Sequence, residues 1–102
     1  MPQDIDSEMM ESIKDSDETW IIDFWAEWCQ PCKKLAPIFE EVSKEVNVNF
    51  GKVDMEENQQ IGTSMGVRAL PTIIIMKGDE EVARTSGAKK KDELKSWIEE
   101  NI

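Results

Sequence analysis

Apolar residues along this chain form two nearly continuous runs, at residues 20–25 and 72–76. Runs of this kind are typical of strands that are buried on both faces. Residues 48–54 instead alternate between apolar and polar, which predicts a third strand. The turn Gly78-Asp79-Glu80 predicts a hairpin into a further strand at residues 81–86. The pattern therefore indicates a central β-sheet.

Helical periodicity fills the segments between these strands. The spacing of apolar residues predicts four helices, over residues 7–15, 29–46, 57–65 and 89–101. In the first helix Ile5, Met9 and Ile13 are spaced for one buried side, and Ser7 or Asp6 is available as the N-cap. Helices that alternate with strands pack on both faces of a sheet. The order of elements predicts an α/β fold, a three-layer α/β/α sandwich around a mixed sheet.

Length and charge limit the function classes. A chain of 102 residues fits a single domain, residues 1–102, and can bury a core without a disulfide crosslink. The net charge of -10 argues against nucleic acid or an anionic membrane as a partner, because phosphate contacts need clustered cations. The N-terminal residues lack the basic and apolar regions of a signal peptide, and no stretch is long enough to span a bilayer. These features predict a cytoplasmic protein, and we expect it to be a monomer.

The two cysteines, Cys29 and Cys32, carry the most specific chemistry in the chain. Cys29 follows a predicted strand and begins a predicted helix, where free backbone N–H groups and the helix dipole favour a thiolate. Cys32 shares a helix face with Cys29, so the two sulfurs are placed to form a disulfide. We expect Cys29 to attack a target disulfide and Cys32 to resolve the mixed disulfide. Half of a zinc site is the alternative, but four ligands are usual and the chain has no His and no further Cys.

Over nearly its whole length the chain resembles the thioredoxin family. The resemblance is carried by Asp23-Phe24-Trp25-Ala26-Glu27-Trp28-Cys29, Pro31-Cys32-Lys33, Ala36-Pro37, Ala69-Leu70-Pro71-Thr72 and Gly87. It implies a thioredoxin fold with a mixed sheet of four to five strands, the first at most a vestigial edge strand near residues 2–5. It also implies a general protein-disulfide reductase that acts on disulfide-containing proteins, is recycled by a thioredoxin reductase and needs no cofactor or metal beyond its own Cys29–Cys32 disulfide.

The same resemblance implies roles for residues around the cysteines. Asp23 is expected to lie buried behind Cys32 and to aid its proton transfer, and Pro71 is expected to follow a cis bond beside the disulfide. The implied substrate-binding residues are Trp28, Gln30, Pro31, Leu70, Pro71 and Gly87. Burial alone predicts a raised pKa for Asp23, which suits a proton acceptor near neutral pH.

Two positions depart from the usual thioredoxin pattern. Gln30 stands where thioredoxins most often carry Gly, and it leaves the reduction potential open. Phe50 stands where some thioredoxins place a lysine near the buried aspartate, although Lys52 shares the strand face of Phe50. The ionic partner of Asp23 is therefore left open by the sequence.

Other interpretations of these residues stay open at this point. The protein could be a glutaredoxin-like, glutathione-linked oxidoreductase, or a thioredoxin-fold interaction module of a larger complex in which the cysteines are dispensable. Asp23 could be a buried carboxylate with a purely structural role, and Pro71 could simply begin a strand. Trp28 could be a packing residue, although a large ring directly before a reactive thiol favours a groove wall.

Overall fold

The computed structural model describes all residues, 1–102, as five strands and four helices. In chain order these are β1 (Gln3–Asp4), α1 (Ser7–Asp15), β2 (Thr19–Trp25), α2 (Gln30–Ser43), β3 (Asn49–Asp54), α3 (Gln59–Ser64), β4 (Thr72–Lys77), β5 (Glu80–Ser86) and α4 (Lys91–Glu100). The predicted alternation of strands and helices is confirmed. The vestigial first strand is confirmed too, since β1 has two residues.

The strands form one mixed sheet in the order β1-β3-β2-β4-β5. Strands β1, β3 and β2 pair in parallel, whereas β4 runs antiparallel to β2 and β5 antiparallel to β4. The two longest apolar runs of the sequence, β2 and β4, lie side by side at the centre. Central strands are covered on both faces, which explains why these runs do not alternate.

Each face of the sheet has its own hydrophobic cluster. Trp20, Ile22 and Phe24 point to one face, where they pack with residues of α1 and with Ile61 of α3. Ile21, on the opposite face, packs with residues of α2 and α4, among them Leu35 and Ile98. The three-layer α/β/α sandwich is thus confirmed.

Helix boundaries differ from the predicted ones by a few residues. The second helix was expected to reach residue 46, but α2 ends at Ser43 because its last turn tightens. There the N–H groups of Lys44 and Glu45 donate to carbonyls only three residues back, at 3.1 and 2.9 Å. Val46 is still buried, which is why the apolar pattern extends past the helix end. The first helix matches its predicted range, and its N-cap is Asp6, whose carboxylate accepts the Met9 N–H at 2.8 Å.

The buried side of α1 is one residue away from the predicted one. Ile5 and Ile13 are buried as expected, but Met10 completes the set and Met9 is only half-buried. Both positions fit a helical spacing to Ile13, so the sequence pattern could not separate them. No helix of the fold is long and apolar enough to cross a membrane.

Candidate active site

The two cysteines lie at the junction of β2 and α2. Their Cα atoms are 5.3 Å apart and their sulfurs are joined in a disulfide. Cys29 is the N-cap of α2, and the backbone N–H of Cys32 donates to the Cys29 Sγ at 3.3 Å. Both side chains are largely covered, with Cys29 5% and Cys32 2% exposed. The Cys29 sulfur therefore occupies the anion-favouring end of a 14-residue helix.

Trp28 is the exposed neighbour of this pair. It is 67% exposed, although apolar side chains of this size are usually covered. Gln30 and Pro31, which separate the cysteines, are exposed in the first turn of α2. The disulfide is thus mostly covered, and the exposed Trp28 ring lies beside it. Exposed aromatic rings of this kind are common where another protein binds.

Asp23 lies in the middle of β2 and is completely buried. Neither carboxylate oxygen has a hydrogen-bond partner. Burial raises the pKa of Asp23 to about 7, and the positive charge of Lys52 opposes that rise. Asp23 points to the face of the sheet that also carries Ile21, and α2 covers that face. A carboxyl group that changes its protonation near neutral pH therefore lies on the face that α2 covers.

Lys52 is the charged residue that pairs with Asp23 across strands β2 and β3. The two residues are direct partners in the parallel pairing of β2 with β3, so their side chains leave the same face. The Lys52 ammonium lies 4.6 Å from the centroid of the Trp25 ring, and this cation–π contact stabilises the charged form of the lysine. Phe50 instead packs edge to face on Phe39, with ring centroids 5.3 Å apart. The lysine of this strand thus leaves the same face of the sheet as Asp23, two residues beyond Phe50.

A second wall of the site comes from the segment before β4. The Leu70–Pro71 bond is cis, as expected. Leu70 packs against the cluster formed by Ala26, Cys29 and Cys32. The N–H of Gly87 donates to the carbonyl of Pro71 at 2.9 Å. Gly87 has a φ of 89°, a conformation that favours glycine. The structure thus brings three residues of the expected groove together from two distant parts of the chain.

A cavity of about 410 Å³ opens beside Trp28. Its lining residues are Trp28, Met55, Glu56, Gln59, Val67, Arg68 and Leu70. Sequence reasoning identified Trp28 and Leu70 and missed the other five. Val67 and Arg68 directly precede the Ala69-Leu70-Pro71 motif, which was a usable signal for them. Met55, Glu56 and Gln59 carried no such signal, because only the packing of α3 against the end of β3 brings them here.

No group of three or more His, Cys, Asp or Glu side chains is placed to hold a metal ion. The chemistry of the site consists of two sulfurs at disulfide distance, a helix start that favours a thiolate, and a buried carboxyl group. On an α/β/α sandwich, these features define a thiol-disulfide oxidoreductase.

Comparison with known proteins gives the family. The family model for thioredoxin matches residues 3–100. A thioredoxin of Buchnera aphidicola subsp. Acyrthosiphon pisum is 41% identical over 99 residues, which cover 95% of this chain and 92% of the relative. Among solved structures, a Malassezia sympodialis thioredoxin matches with a TM-score of 0.85 and 32% identity, covering 99% of this chain and 90% of that one. A mutant thioredoxin from Halobacterium salinarum NRC-1 matches with a TM-score of 0.88 and 29% identity, covering 98% and 89%. The chain belongs to the thioredoxin family.

Membership of this family and the close cysteine pair establish a thiol-disulfide reductase. They fit this activity better than a glutathione-linked oxidoreductase or an interaction module. The family also implies a reductase partner and disulfide-containing targets.

Proposed function

We propose that this chain, as one thioredoxin domain over residues 1–102, reduces disulfides in many proteins by a two-step exchange. In the first step the Cys29 thiolate attacks one sulfur of the target disulfide, the target S–S bond breaks and one target thiolate leaves. In the second step Cys32 loses its proton and attacks the Cys29 sulfur. The second target thiolate then leaves, and the Cys29–Cys32 disulfide holds the two-electron oxidised state. A thioredoxin reductase returns the pair to the dithiol.

The observation that carries this order of attack is the capping geometry of Cys29. Its sulfur accepts the backbone N–H of Cys32 at the start of α2, so a negative charge on Cys29 is stabilised where it forms. Cys32 is inside the first turn and is the more covered of the two, at 2% exposure. An incoming target therefore meets Cys29 before Cys32.

Asp23 is the group that we assign to the Cys32 proton. Its carboxyl lies on the face of β2 that α2 covers, and Cys32 precedes Leu35 on that helix by three residues. A pKa of about 7 makes the Asp23 carboxylate a competent acceptor at neutral pH. The absence of hydrogen-bond partners on both oxygens leaves its lone pairs free for a proton.

Target binding is assigned to the surface around Trp28. This surface comprises Trp28, Gln30, Pro31, Leu70, Pro71 and Gly87 together with the 410 Å³ cavity. The N–H groups of Arg68, Ala69 and Leu70 donate to no other group of the chain, and Pro71 has none. An extended target segment can therefore pair with this backbone, a mode of binding that reads shape more than sequence. Such readout is consistent with many different targets.

The proposal includes a cytoplasmic, monomeric protein that binds neither nucleic acid nor membranes. A disulfide reductase is expected in a compartment where protein thiols are kept reduced, such as the cytosol. The net charge of -10 supports the exclusion of polyanionic partners.

Replacing the cysteines one at a time tests the proposal. With dithiothreitol as the electron source and insulin as the disulfide substrate, Cys29→Ser is expected to lower reduction to the rate seen with dithiothreitol alone. Cys32→Ser, first reduced and then freed of dithiothreitol before insulin is added, is expected to accumulate a mixed disulfide between Cys29 and insulin, visible by mass spectrometry, because no second thiol of the protein resolves it. If Cys29→Ser instead forms the mixed disulfide through Cys32, the proposed order of attack is wrong.

A further inference from the structure

Arg84 makes the largest set of side-chain hydrogen bonds outside the disulfide site, and none of the chemistry above uses it. Its guanidinium donates to both oxygens of Glu81, from Nε at 2.6 Å and from Nη2 at 2.7 Å. Nη2 also donates to the carbonyl of Met65 at 2.6 Å, and Nη1 donates to the carbonyl of Gly66 at 3.4 Å. One side chain on β5 thus holds the backbone at the end of α3.

The contact between Arg84 and Glu81 depends on an irregularity in β5. Residues three apart on a regular strand point to opposite faces. Here Arg84 pairs with Ile74 and Glu81 pairs with Met76, and Val82 is the extra residue of a bulge between them. Ile74 and Met76 share one face of the sheet, so Glu81 and Arg84 share it as well. The bulge therefore turns both side chains toward α3.

The carbonyls that Arg84 binds begin the segment that builds one wall of the cavity. Helix α3 is short and ends at Ser64, and Gly66 has a φ of 68°, which turns the chain out of the helix. The last carbonyls of a helix lack partners within it and are good acceptors for a cation. After Gly66 the segment contributes Val67, Arg68 and Leu70 to the cavity.

The segment between this attachment and β4 has few other anchors. The N–H groups of Gly66 and Val67 donate to Thr63 and Gly62 at 3.1 and 2.9 Å, but those of residues 68–70 donate to no group of the chain. At its far end, Thr72 Oγ1 donates to the Ala69 carbonyl and Gly87 N–H to the Pro71 carbonyl, at 2.5 and 2.9 Å. Loss of the Arg84 bonds at residues 65 and 66 would leave this end of the wall held only by the backbone bonds back to α3 and by apolar packing.

We propose that Arg84 is a positioning residue for target binding, because its guanidinium fixes the carbonyls of Met65 and Gly66 and thereby the cavity wall beside Trp28. The inference rests on the proposed function in taking this cavity as part of the target-binding surface. Arg84 touches neither sulfur, so its effect acts on affinity for large targets and leaves the exchange chemistry unchanged. The hydrogen bonds from Arg84, and to a lesser extent its charge, lower the pKa of Glu81, consistent with a formed ion pair.

The test compares Arg84→Met with Lys91→Met. Both variants remove one positive charge from an exposed ion pair, since Lys91 Nζ lies 2.6 Å from Glu45 Oε2 on the α2 and α4 side of the sheet. Arg84→Met is expected to raise KM for insulin disulfides about fivefold with little change in kcat, which corresponds to about 1 kcal/mol, the net value of a typical hydrogen bond. Its rate with a small aromatic disulfide and its reduction potential are expected to match the unaltered protein. The KM of Arg84→Lys is expected to lie between those of Arg84→Met and the unaltered protein, because a single ammonium cannot replace the planar fork of donors.

Amide hydrogen exchange gives a second readout that does not depend on activity. The amides of Gly66 and Val67 are expected to exchange about fivefold faster in Arg84→Met and at the normal rate in Lys91→Met. Unchanged exchange at both amides, an unchanged KM, or equal slowing with the small disulfide would each overturn the role of Arg84. Failure of the unaltered protein to reduce insulin would instead overturn the proposed function, and the exchange rates would still decide whether Arg84 holds this segment.

Discussion

At the scale of single residues, Asp23 is the least favourable residue in the core. Its carboxyl is fully buried and both oxygens lack hydrogen-bond partners, whereas buried polar groups are nearly always paired. A neutral side chain in place of the Asp23 carboxylate would stabilise the fold, because a buried charge without partners is costly. A residue that costs stability at neutral pH fits a chemical role better than a structural one.

The first prediction concerns the pH dependence of stability. In the unfolded chain Asp23 ionises near the ordinary aspartate pKa of 3.8, but in the folded protein burial raises the pKa to about 7. Between these values the folded state binds the extra proton, so the contribution of Asp23 to stability falls as pH rises from about 4 to 7 and is constant above that. Asp23→Asn removes this loss. The free energy of unfolding of Asp23→Asn minus that of the unaltered protein is therefore expected to be larger at pH 8 than at pH 4, by up to about 4 kcal/mol.

Urea unfolding of the oxidised proteins at several pH values checks this prediction, since the disulfide keeps both cysteines from titrating. Taking the difference between the two proteins cancels the other carboxylates, including Glu45 and Glu81, whose lowered pKa values give stability that is lost in acid. A difference that does not change between pH 4 and 8 would show that Asp23 has an ordinary pKa. We also expect Asp23→Asn to slow insulin reduction at neutral pH.

At the scale of elements, helix starts carry both structure and chemistry in this fold. Asp6 and Cys29 occupy the same capping position on α1 and α2, and each side chain accepts a backbone N–H three residues on. In α1 the acceptor is an exposed carboxylate that stabilises the helix. In α2 it is a reactive sulfur. The same local geometry thus serves stability in one helix and reactivity in the other.

Replacing the cap of α1 tests the structural half of this comparison. Asp6→Ala is expected to lower the free energy of unfolding by about 1 kcal/mol, because the Met9 N–H loses its acceptor. Asp6→Asn keeps a capping oxygen and removes only the charge, so its stability is expected to stay close to that of the unaltered protein. Chemical denaturation of the three proteins measures both effects. Equal losses in the two variants would assign the effect to charge and not to capping.

At the scale of the whole molecule, the dominant electrostatic feature is an excess of acidic residues. The chain has 22 Asp and Glu against 12 Lys and Arg. The ion pairs of Lys91 and Lys95 with Glu45 are exposed, and pairs of this kind contribute little to stability. Repulsion among the remaining carboxylates therefore opposes the compact state at neutral pH.

This balance predicts that salt stabilises the protein. At pH 7, raising sodium chloride from about 0.02 to 0.5 M is expected to increase the free energy of unfolding by about 1 kcal/mol, because screening weakens repulsion between exposed charges. The effect is expected to vanish near pH 4.4, the isoelectric point, where the net charge is zero. Urea unfolding at the two pH values and two salt concentrations measures it. A loss of stability with salt at pH 7 would mean that the surface ion pairs outweigh the repulsion.

Much of the fold and the reactive centre could be predicted from the sequence because local patterns encode them. The nearly continuous apolar runs at β2 and β4 indicated the central strands, and the placement of Cys29 between a strand and a helix predicts it as the nucleophile. The family resemblance added the cis bond at Pro71, which no periodicity predicts. Helical spacing alone did not decide whether Met9 or its neighbour is buried. It also did not predict where the last turn of α2 tightens.

The sequence by itself determined the elements, their order and the residues with chemistry, since these depend on neighbours within a few positions along the chain. Only the tertiary structure decided which distant residues meet. Met55, Glu56 and Gln59 join Trp28 around one cavity, Lys52 takes its place opposite Asp23, and a bulge in β5 turns Arg84 toward the end of α3. Strand register and sheet packing fix these contacts, and they follow from the burial of whole faces and not from any local sequence signal.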